Sequence, residues 1–545
     1  MKAHLLHPRH DAPWREISRA VAQREARRTG WRYRTEGNVS EAPPIWNETD
    51  LTRDLALETL FQAMAGEDDC LYETVRWTIL QSTRGDLEAV QYRQGVLQDC
   101  LDHSDIVRQL YDVALAAANR RNERISGLLA RHPDWVLRDG CDRMERFLSA
   151  LRALRAIADR RGTGFISEGW RRFFAMVDSQ LDDGYLASVQ EHLEQLRNRD
   201  GALVQSVKLG YGNAGESYIL HRFPSRLRNW RSWFEDLFVR AAPAFAFELD
   251  PRDESGSQAL HDLHNQGIAL VADALGRSAD HVGAFFGMLR VELAFYVGCL
   301  NLHDLLQQKN LPVCMPVAEP VGSRRLSLRG LYDVGLALTL ASGVVGNDAV
   351  ADDKALIIVT GANTGGKSTF LRSVGLAQVM MQSGMFVGAE AFHAGLCDGL
   401  FTHCKREEDT GLKQGKFDEE LNRMSAIIDH IRPESWVLFN ESFSATNERE
   451  GAEIAHQIMT ALLAKGVRIL CVTHLYELAH GFFERDRDEA LFLRAPRRED
   501  GGRTFKLVEG EPLPTSFGND LYLRIFSASH ETVEAIGERE GHGDG

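Results

Sequence analysis

The chain of 545 residues has few cysteines, and they follow no pattern. The eight (Cys70, Cys100, Cys141, Cys299, Cys314, Cys397, Cys404 and Cys471) include no pair at CxxC spacing. That argues against a structural zinc site and suits reduced thiols in a cytoplasm. Apolar runs are also short. No uninterrupted stretch reaches the roughly 18 residues that span a bilayer. The first twenty residues, MKAHLLHPRHDAPWREISRA, lack the apolar core of a signal peptide. A cytoplasmic protein with no membrane partner is the expectation. Aromatics are thin at the start, where Phe61 is the one phenylalanine before Phe147. Internal repeats and low-complexity segments are absent.

What is present is ordinary for a globular chain of more than one domain: 44% hydrophobic and 26% charged residues. The net charge of −15 argues at first sight against a nucleic-acid partner. Its distribution weakens that argument, because residues 1–330 sum to −3 and residues 331–545 to −12. A near-neutral first part can still present a basic face, since local patches attract phosphates.

The first 330 residues read as mainly helical. Leu51–Met64 and Leu71–Leu80 carry helical apolar spacing. In Trp170–Leu196 the residues Leu186, Val189, Leu193 and Leu196 predict a long packed helix, broken by Asn198-Arg199-Asp200-Gly201. Residues 202–220 predict two strands around a Gly/Asn turn. A second long helix is predicted from about Val282 to Leu306. After Gly322 short apolar strands alternate with helices: Ala355–Thr360, Ser368–Gln382, Trp436–Phe439, Ala452–Ala464 and Arg468–Thr473. That alternation predicts a parallel sheet covered by helices. Asp486–Arg503 reads as a charged surface loop, and the tail as disordered.

One motif stands out. Gly361-Ala362-Asn363-Thr364-Gly365-Gly366-Lys367-Ser368 fits G-x-x-x-x-G-K-[ST]. An apolar strand runs into it and a helix-forming stretch follows, which is the context the motif needs. Glycines let backbone amides turn around phosphate oxygens, and a helix amino terminus favours the anion. Lys367 would meet the β- and γ-phosphates, Ser368 would bind Mg²⁺, and Thr369 follows in the nucleotide-binding set. A second strand ends in Asn440-Glu441. In P-loop ATPases an acidic residue at the first of these positions anchors Mg²⁺ through water, and the following Glu polarises the attacking water. Here an amide holds the first position, so weaker Mg²⁺ retention or slower turnover follows, with Glu441 as the base. The strand Arg468–Thr473 delivers His474, placed to sense the γ-phosphate.

Together these stretches resemble the ATPase domain of the MutS family of DNA mismatch-repair proteins. The likeness runs through LIIVTGANTGGKSTFLRSVGLAQVMMQSGMFVGAE, Leu400-Phe401-Thr402, and Phe439-Asn440-Glu441 with Gly451. It continues through Val472-Thr473-His474 with Glu477-Leu478, and Ser516-Phe517-Gly518. Leu71–Leu101 is more weakly similar to the helical core of that family. The resemblance implies an α/β P-loop NTPase domain of ABC type at the C-terminus (323–530), preceded by a mainly α-helical region. The latter divides into an N-terminal extension (1–50), a helical core (51–165) and lever helices (166–322) with a small clamp-like insertion at about 201–256. A tail follows at 531–545. It further implies ATP and Mg²⁺ as cofactors, DNA as partner and a homodimer with composite sites.

Within the insertion, Arg222, Arg226, Arg228 and Arg231 interleave with Phe223, Trp230 and Trp233. That suits phosphate contact and stacking, or equally a solvated basic helix whose tryptophans pack inward. Departures from the family pattern are informative. The mismatch-reading domain with its Phe-x-Glu wedge has no room before residue 147. The segment that reaches the partner's γ-phosphate reads Gly415-Lys416-Phe417, without the usual serine. The adenine segment reads Val344-Val345-Gly346-Asn347, which predicts aliphatic packing on the base. Three functions remain open: an ATP-driven DNA-binding switch, a protein-interaction switch, and a slow or non-hydrolysing nucleotide scaffold. Lys367→Ala is predicted to abolish nucleotide binding in an equilibrium assay; affinity equal to the wild type would remove the motif from the account.

Overall fold

The computed structural model describes residues 1–9, 14–29, 45–119, 133–160, 164–196, 205–209, 215–220, 254–341, 343–361, 365–406, 415–485, 489–496 and 503–513. The motif residues Ala362, Asn363 and Thr364, the arginines Arg222, Arg226, Arg228 and Arg231, and Ser516–Gly518 lie outside them. The chain forms two compact units. One comprises Met1–His4, His103–Ile166 and Trp170–Leu293; the other comprises Leu5–Asp102, Ser167–Gly169 and Ala294–Gly545.

Among the described residues the first unit is helical apart from one hairpin, with helices at Ser104–Asn119, Pro133–Arg160 and Asp183–Leu196, and most of Glu168–Gln180. Phe165, Trp170, Phe173 and Phe174 form an aromatic cluster with centroids 4.9–5.6 Å apart, and such clusters supply large buried area in offset and edge geometries. The long helix predicted for Trp170–Leu196 is two helices. Asp182 breaks it by capping the second: its carboxylate accepts from the Tyr185 amide at 2.6 Å. The hairpin pairs β1 (Gln205–Leu209) antiparallel with β2 (Gly215–Leu220), as the Gly/Asn turn predicts. The helix predicted to start near Val282 runs instead from Glu254 to Gln308. Its stretch Ile268–Gln308 is long and apolar enough to cross a membrane, but 83% of its most apolar window is buried in the protein. It therefore reads as a core helix.

Among its described residues the second unit holds two sheets. In the larger, the order is β12 (Val508–Glu509), β11 (Ala490–Ala495), β6 (Leu356–Gly361), β10 (Arg468–Val472), β9 (Trp436–Asn440) and β8 (Leu400–Cys404). All pairs are parallel except β11–β12. Strands buried on both faces read as continuous apolar runs, and β6 (LIIVTG), β9 (WVLFN) and β10 (RILCV) do so. The smaller sheet orders β3 (Val317–Glu319), β7 (Ala391–Gly395), β4 (Leu326–Leu331) and β5 (Asn347–Val350). The reading of Asp486–Arg503 as a surface loop is corrected: residues 490–495 are β11, paired with β6 from Leu356 to Gly361. Charges on either side obscured six residues of strand.

Leu51–Met64 also divides, into Glu48–Asp54 and Leu57–Ala65, around Ala56 at φ +53°. The shorter helix covers the edge strand β8, where Asn47 Nδ2 donates to Leu400 O at 2.8 Å and Arg406 pairs with Asp50. Covering an edge removes a template for unwanted strand pairing.

The helix Lys367–Gln382 is buried nearly all round, as a helix packed inside a domain must be. Its two interior glutamines make specific contacts, although Gln378 Oε1 is buried with no partner. Gln378 Nε2 donates to Gly395 O at 3.0 Å. Gln382 Nε2 donates to Ser82 O at 2.9 Å, while its Oε1 accepts from the Cys397 amide at 2.8 Å. Ser82 Oγ in turn accepts from Arg93 Nη1 at 3.0 Å. The far end of this helix is thus fastened to residues 82–93. Gln382→Leu would leave a buried carbonyl and a buried amide unpaired, at a cost of about 2 kcal/mol or more. A lowered denaturation midpoint is predicted; an unchanged one contradicts this network.

Candidate functional site

The site is built where β6, β9 and β10 end side by side. Parallel strands buried under helices place their carboxyl ends at one crevice, where ligands of open α/β sheets bind. Gly361 closes β6 with φ +111°. A Cβ there would lie 2.8 Å from the Ala495 amide nitrogen and 2.9 Å from its carbonyl oxygen. Only glycine fits both the backbone angle and the approach of β11. Gly366, at φ +93°, stands at the N-cap of the helix that begins with Lys367.

Lys367 is 4% exposed. Its ammonium donates to the Gly361 carbonyl at 2.7 Å, across the mouth of the loop. Burial lowers its pKa, and the nearby Glu441 carboxylate opposes that shift. Lys367 and Glu441 therefore lie near enough to interact electrostatically. The exposed Ser368 donates from Oγ to Asn440 Oδ1 at 2.8 Å. Asn440 sits at the end of β9, in register with Val472 of β10 and Cys404 of β8. Glu441 follows with φ +52°, and its amide donates to Val472 O at 2.8 Å. The Thr473 amide donates to Val359 O at 3.2 Å, which carries β10 past β6 and leaves His474 exposed at its tip.

The chemistry of this set fits a nucleotide with Mg²⁺. Positive charge from Lys367 and a helix amino terminus meet the loop. Ser368 and Asn440 offer two neutral oxygens together, and no described cluster of three or more His, Cys, Asp or Glu competes as a metal cage. Mg²⁺ held by few protein oxygens, phosphate and water needs no such cage.

Gly415 stands at the N-cap of the helix Lys416–His430, with both Gly415 and Lys416 exposed. Phe417 packs against the core with Leu421 and Ile431. Helical spacing puts Phe417, Leu421, Met424, Ile428 and Ile431 on one apolar face, but the structure shifts it by one residue: Ile427 is buried, whereas Ile428 is 48% exposed.

Several residues near the site were given no contact of their own by the sequence reading. Asn347 does not face outward with the valines before it. Its Nδ2 donates to Phe505 O at 3.2 Å and its Oδ1 accepts from the Leu507 amide at 2.7 Å. This holds Phe505 beside the phosphate loop, with its carbonyl 3.5 Å from where a Cβ on Gly366 would stand. Phe505 is 46% exposed at φ +54°. An asparagine following Val-Val-Gly was the available signal; the isolated Phe505 in a charged stretch offered none. Arg372, on the same helix as Lys367, pairs with Asp333, whose other oxygen caps the helix Val334–Thr339.

His403 is the other missed residue. It is fully buried on β8, between the Ser442 hydroxyl at 2.8 Å and the Glu420 carbonyl at 3.0 Å. Burial, reinforced by Arg423, pushes its pKa down to about 4.

Two stretches match protein-family models: residues 85–309 match the MutS2 N-terminal domain, and residues 357–521 match MutS domain V. Among curated proteins, the DNA mismatch repair protein MutS of Myxococcus xanthus is 35% identical over 163 residues, 29% of this chain and 18% of that protein. Endonuclease MutS2 of Ligilactobacillus salivarius is 34% identical over 149 residues, 27% and 19% of the two chains. MutS protein homolog 4 of Homo sapiens is 24% identical over 240 residues, 43% and 24%. The chain thus aligns with between 18% and 24% of the length of these relatives.

A histidine held neutral in the fold but free to charge when unfolded sets a sign. Below the unfolded value the unfolded chain binds the extra proton, so stability falls as pH drops from about 6.5 toward about 4. His403→Phe, which removes that proton site, should show a shallower decline of melting temperature over this range. Parallel curves for the two proteins would contradict a neutral buried imidazole.

Proposed function

Because the chain belongs to the MutS family, we propose that it is an ATP-dependent DNA-binding protein of the repair or recombination type. The observation that carries the proposal is the hydrogen bond from Ser368, next to Lys367 at the start of its helix, to Asn440 at the end of β9, with Glu441 following Asn440 and near enough to Lys367 to oppose its pKa shift.

In this reading the domain at 323–530 is an ABC-type ATPase. The loop Gly361–Ser368, with Thr369 behind it, wraps the phosphates, and Lys367 exchanges its Gly361 partner for phosphate oxygens. Phe505 lies against the base, held by Asn347, and Val344 and Val345 pack beside it. Mg²⁺ bound at Ser368, with Asn440 acting through water, would neutralise phosphate charge. Glu441 orients the attacking water and accepts its proton, and His474 lies within reach of the terminal phosphate. These roles leave positioning and electrostatics as the sources of catalysis, as phosphoryl transfer requires.

Two copies of the chain would complete each other's sites, with Lys416 or a backbone amide near Gly415 serving in trans. Hydrolysis would then reset the lever helices and the insertion, where Arg222, Arg226, Arg228 and Arg231 are the candidate DNA contacts. The work would take place in the cytoplasm. A second reading, a slow or non-hydrolysing nucleotide switch, is favoured by one observation: the neutral amide of Asn440 where a carboxylate would hold Mg²⁺.

The test joins DNA binding with hydrolysis. Salt-sensitive, nucleotide-dependent binding is expected on at least one of homoduplex, mismatch, branched junction and single strand. Absence of binding on all four with ATP and with ADP would remove DNA as the partner. Glu441→Gln should lower single-turnover hydrolysis by about 100-fold or more while ATP affinity persists. An unchanged rate would remove Glu441 from the mechanism.

A further inference from the structure

The turn after β9 stores backbone strain on both sides of Ser442. Glu441 lies at φ +52° and Phe443 at φ +61°, neither of them glycine. Left-handed residues of this kind are strained and persist only where their surroundings over-determine them. Glutamate gains nothing locally from such a conformation, so its environment must impose it.

That environment converges on His403. In the parallel register of β8 and β9, His403 stands opposite Phe439, one step before the Cys404–Asn440 pair. Ser442 Oγ lies 2.8 Å from His403 Nδ1 and 2.5 Å from the His403 carbonyl oxygen. The Phe443 ring stacks on the imidazole at 5.2 Å and 17°. His403 Nε2 faces the Glu420 carbonyl at 3.0 Å. A carbonyl can only accept, so the proton of a neutral imidazole belongs on Nε2, and Nδ1 is left to accept from the serine hydroxyl. Both acceptors of residue 403 thus draw on one Ser442 proton. The turn is closed from its other side as well. Ser444 Oγ donates to Glu441 O at 2.9 Å, and a side chain at Gly451 would strike the Phe443 carbonyl at 2.3 Å. These contacts leave the backbone little freedom at residues 441–444.

We infer that His403 and Ser442 are positioning residues for Glu441: the hydroxyl of Ser442, anchored on His403, holds the Glu441 carboxylate toward the phosphate loop. The inference rests on the reading of Glu441 as the base given above. In this reading neither residue contacts nucleotide: the Lys367 ammonium feels the Glu441 carboxylate, whereas His403 and Ser442 are buried in the protein. A clamp of this kind matters most where the metal position carries no charge of its own to draw the carboxylate and water into line. It acts on the chemical step and leaves the grip on ATP to the loop Gly361–Ser368.

The experiment measures ATP affinity, single-turnover hydrolysis and melting temperature on the full chain. Ser442→Ala deletes one oxygen, and His403→Phe keeps the ring that stacks on Phe443. Both should slow single turnover about tenfold, the worth of one buried hydrogen bond expressed in the reaction step, with ATP affinity unchanged. Ser442→Thr, which retains the hydroxyl, should recover most of the rate. The inference is overturned if Ser442→Ala turns over like the wild type. It is likewise overturned if Ser442→Thr is as slow as Ser442→Ala, or if rate and ATP affinity fall together with the melting temperature. Glu441→Gln separates the levels. If it hydrolyses as fast as the wild type, the role of Glu441 fails and this inference with it. If it stops turnover while Ser442→Ala does not, only the positioning role fails.

Discussion

A hydrogen bond from Ser368 Oγ to Asn440 Oδ1, at 2.8 Å, ties the start of the phosphate-loop helix to the end of β9. The rest of the site depends on that tie. The helix cannot move along its axis without carrying Asn440, and Asn440 cannot move without its register partners Cys404 and Val472. Its other end is held just as firmly, since Gln382 is bonded to Ser82 and Cys397 deep in the same unit. A helix fixed at both ends transmits displacement as a rigid rod. A ligand that separates Ser368 from Asn440 would therefore press on residues 82–93 through Gln382 and Arg93. At that far end the polar contacts of Gln382, Ser82 and Arg93 are buried, and each unpaired group there would be costly.

Asn440 also sets the electrostatics. A carboxylate at this position would face Ser368 with negative charge, whereas the amide offers a dipole. Lys367 then remains the dominant charge beside Glu441. In the proposed reading such a site attracts phosphates strongly while holding a divalent cation weakly. The positive φ at Glu441 and Phe443, beside the His403–Ser442 contact, would on that reading serve the same compromise: alignment by backbone in place of alignment by charge.

Much of this was legible in sequence where local chemistry dictates structure. The strand-loop-helix around Gly361–Lys367 could be read because glycine spacing and apolar runs encode it directly. The strand ends at Asn440 and His474 followed from the same alternation. Less legible were features decided by tertiary packing. Asp182 looked like an ordinary polar residue inside an apolar repeat, yet its capping bond splits the helix. Ala490–Ala495 was hidden by flanking charges, although β6 recruits it into the sheet. Phe505 reaches the loop only because Asn347, far away in sequence, grips its backbone. His403 and Ser442 lie 39 residues apart and match no motif. Their pairing exists only once β8 and β9 lie side by side.

The most direct measurement of the charge argument is the Mg²⁺ dependence of ATP binding, titrated in the wild type and in Asn440→Asp. If the amide is what weakens cation retention, Asn440→Asp should lower the half-saturating Mg²⁺ concentration by about tenfold or more. The same half-saturating concentration in both proteins would contradict it.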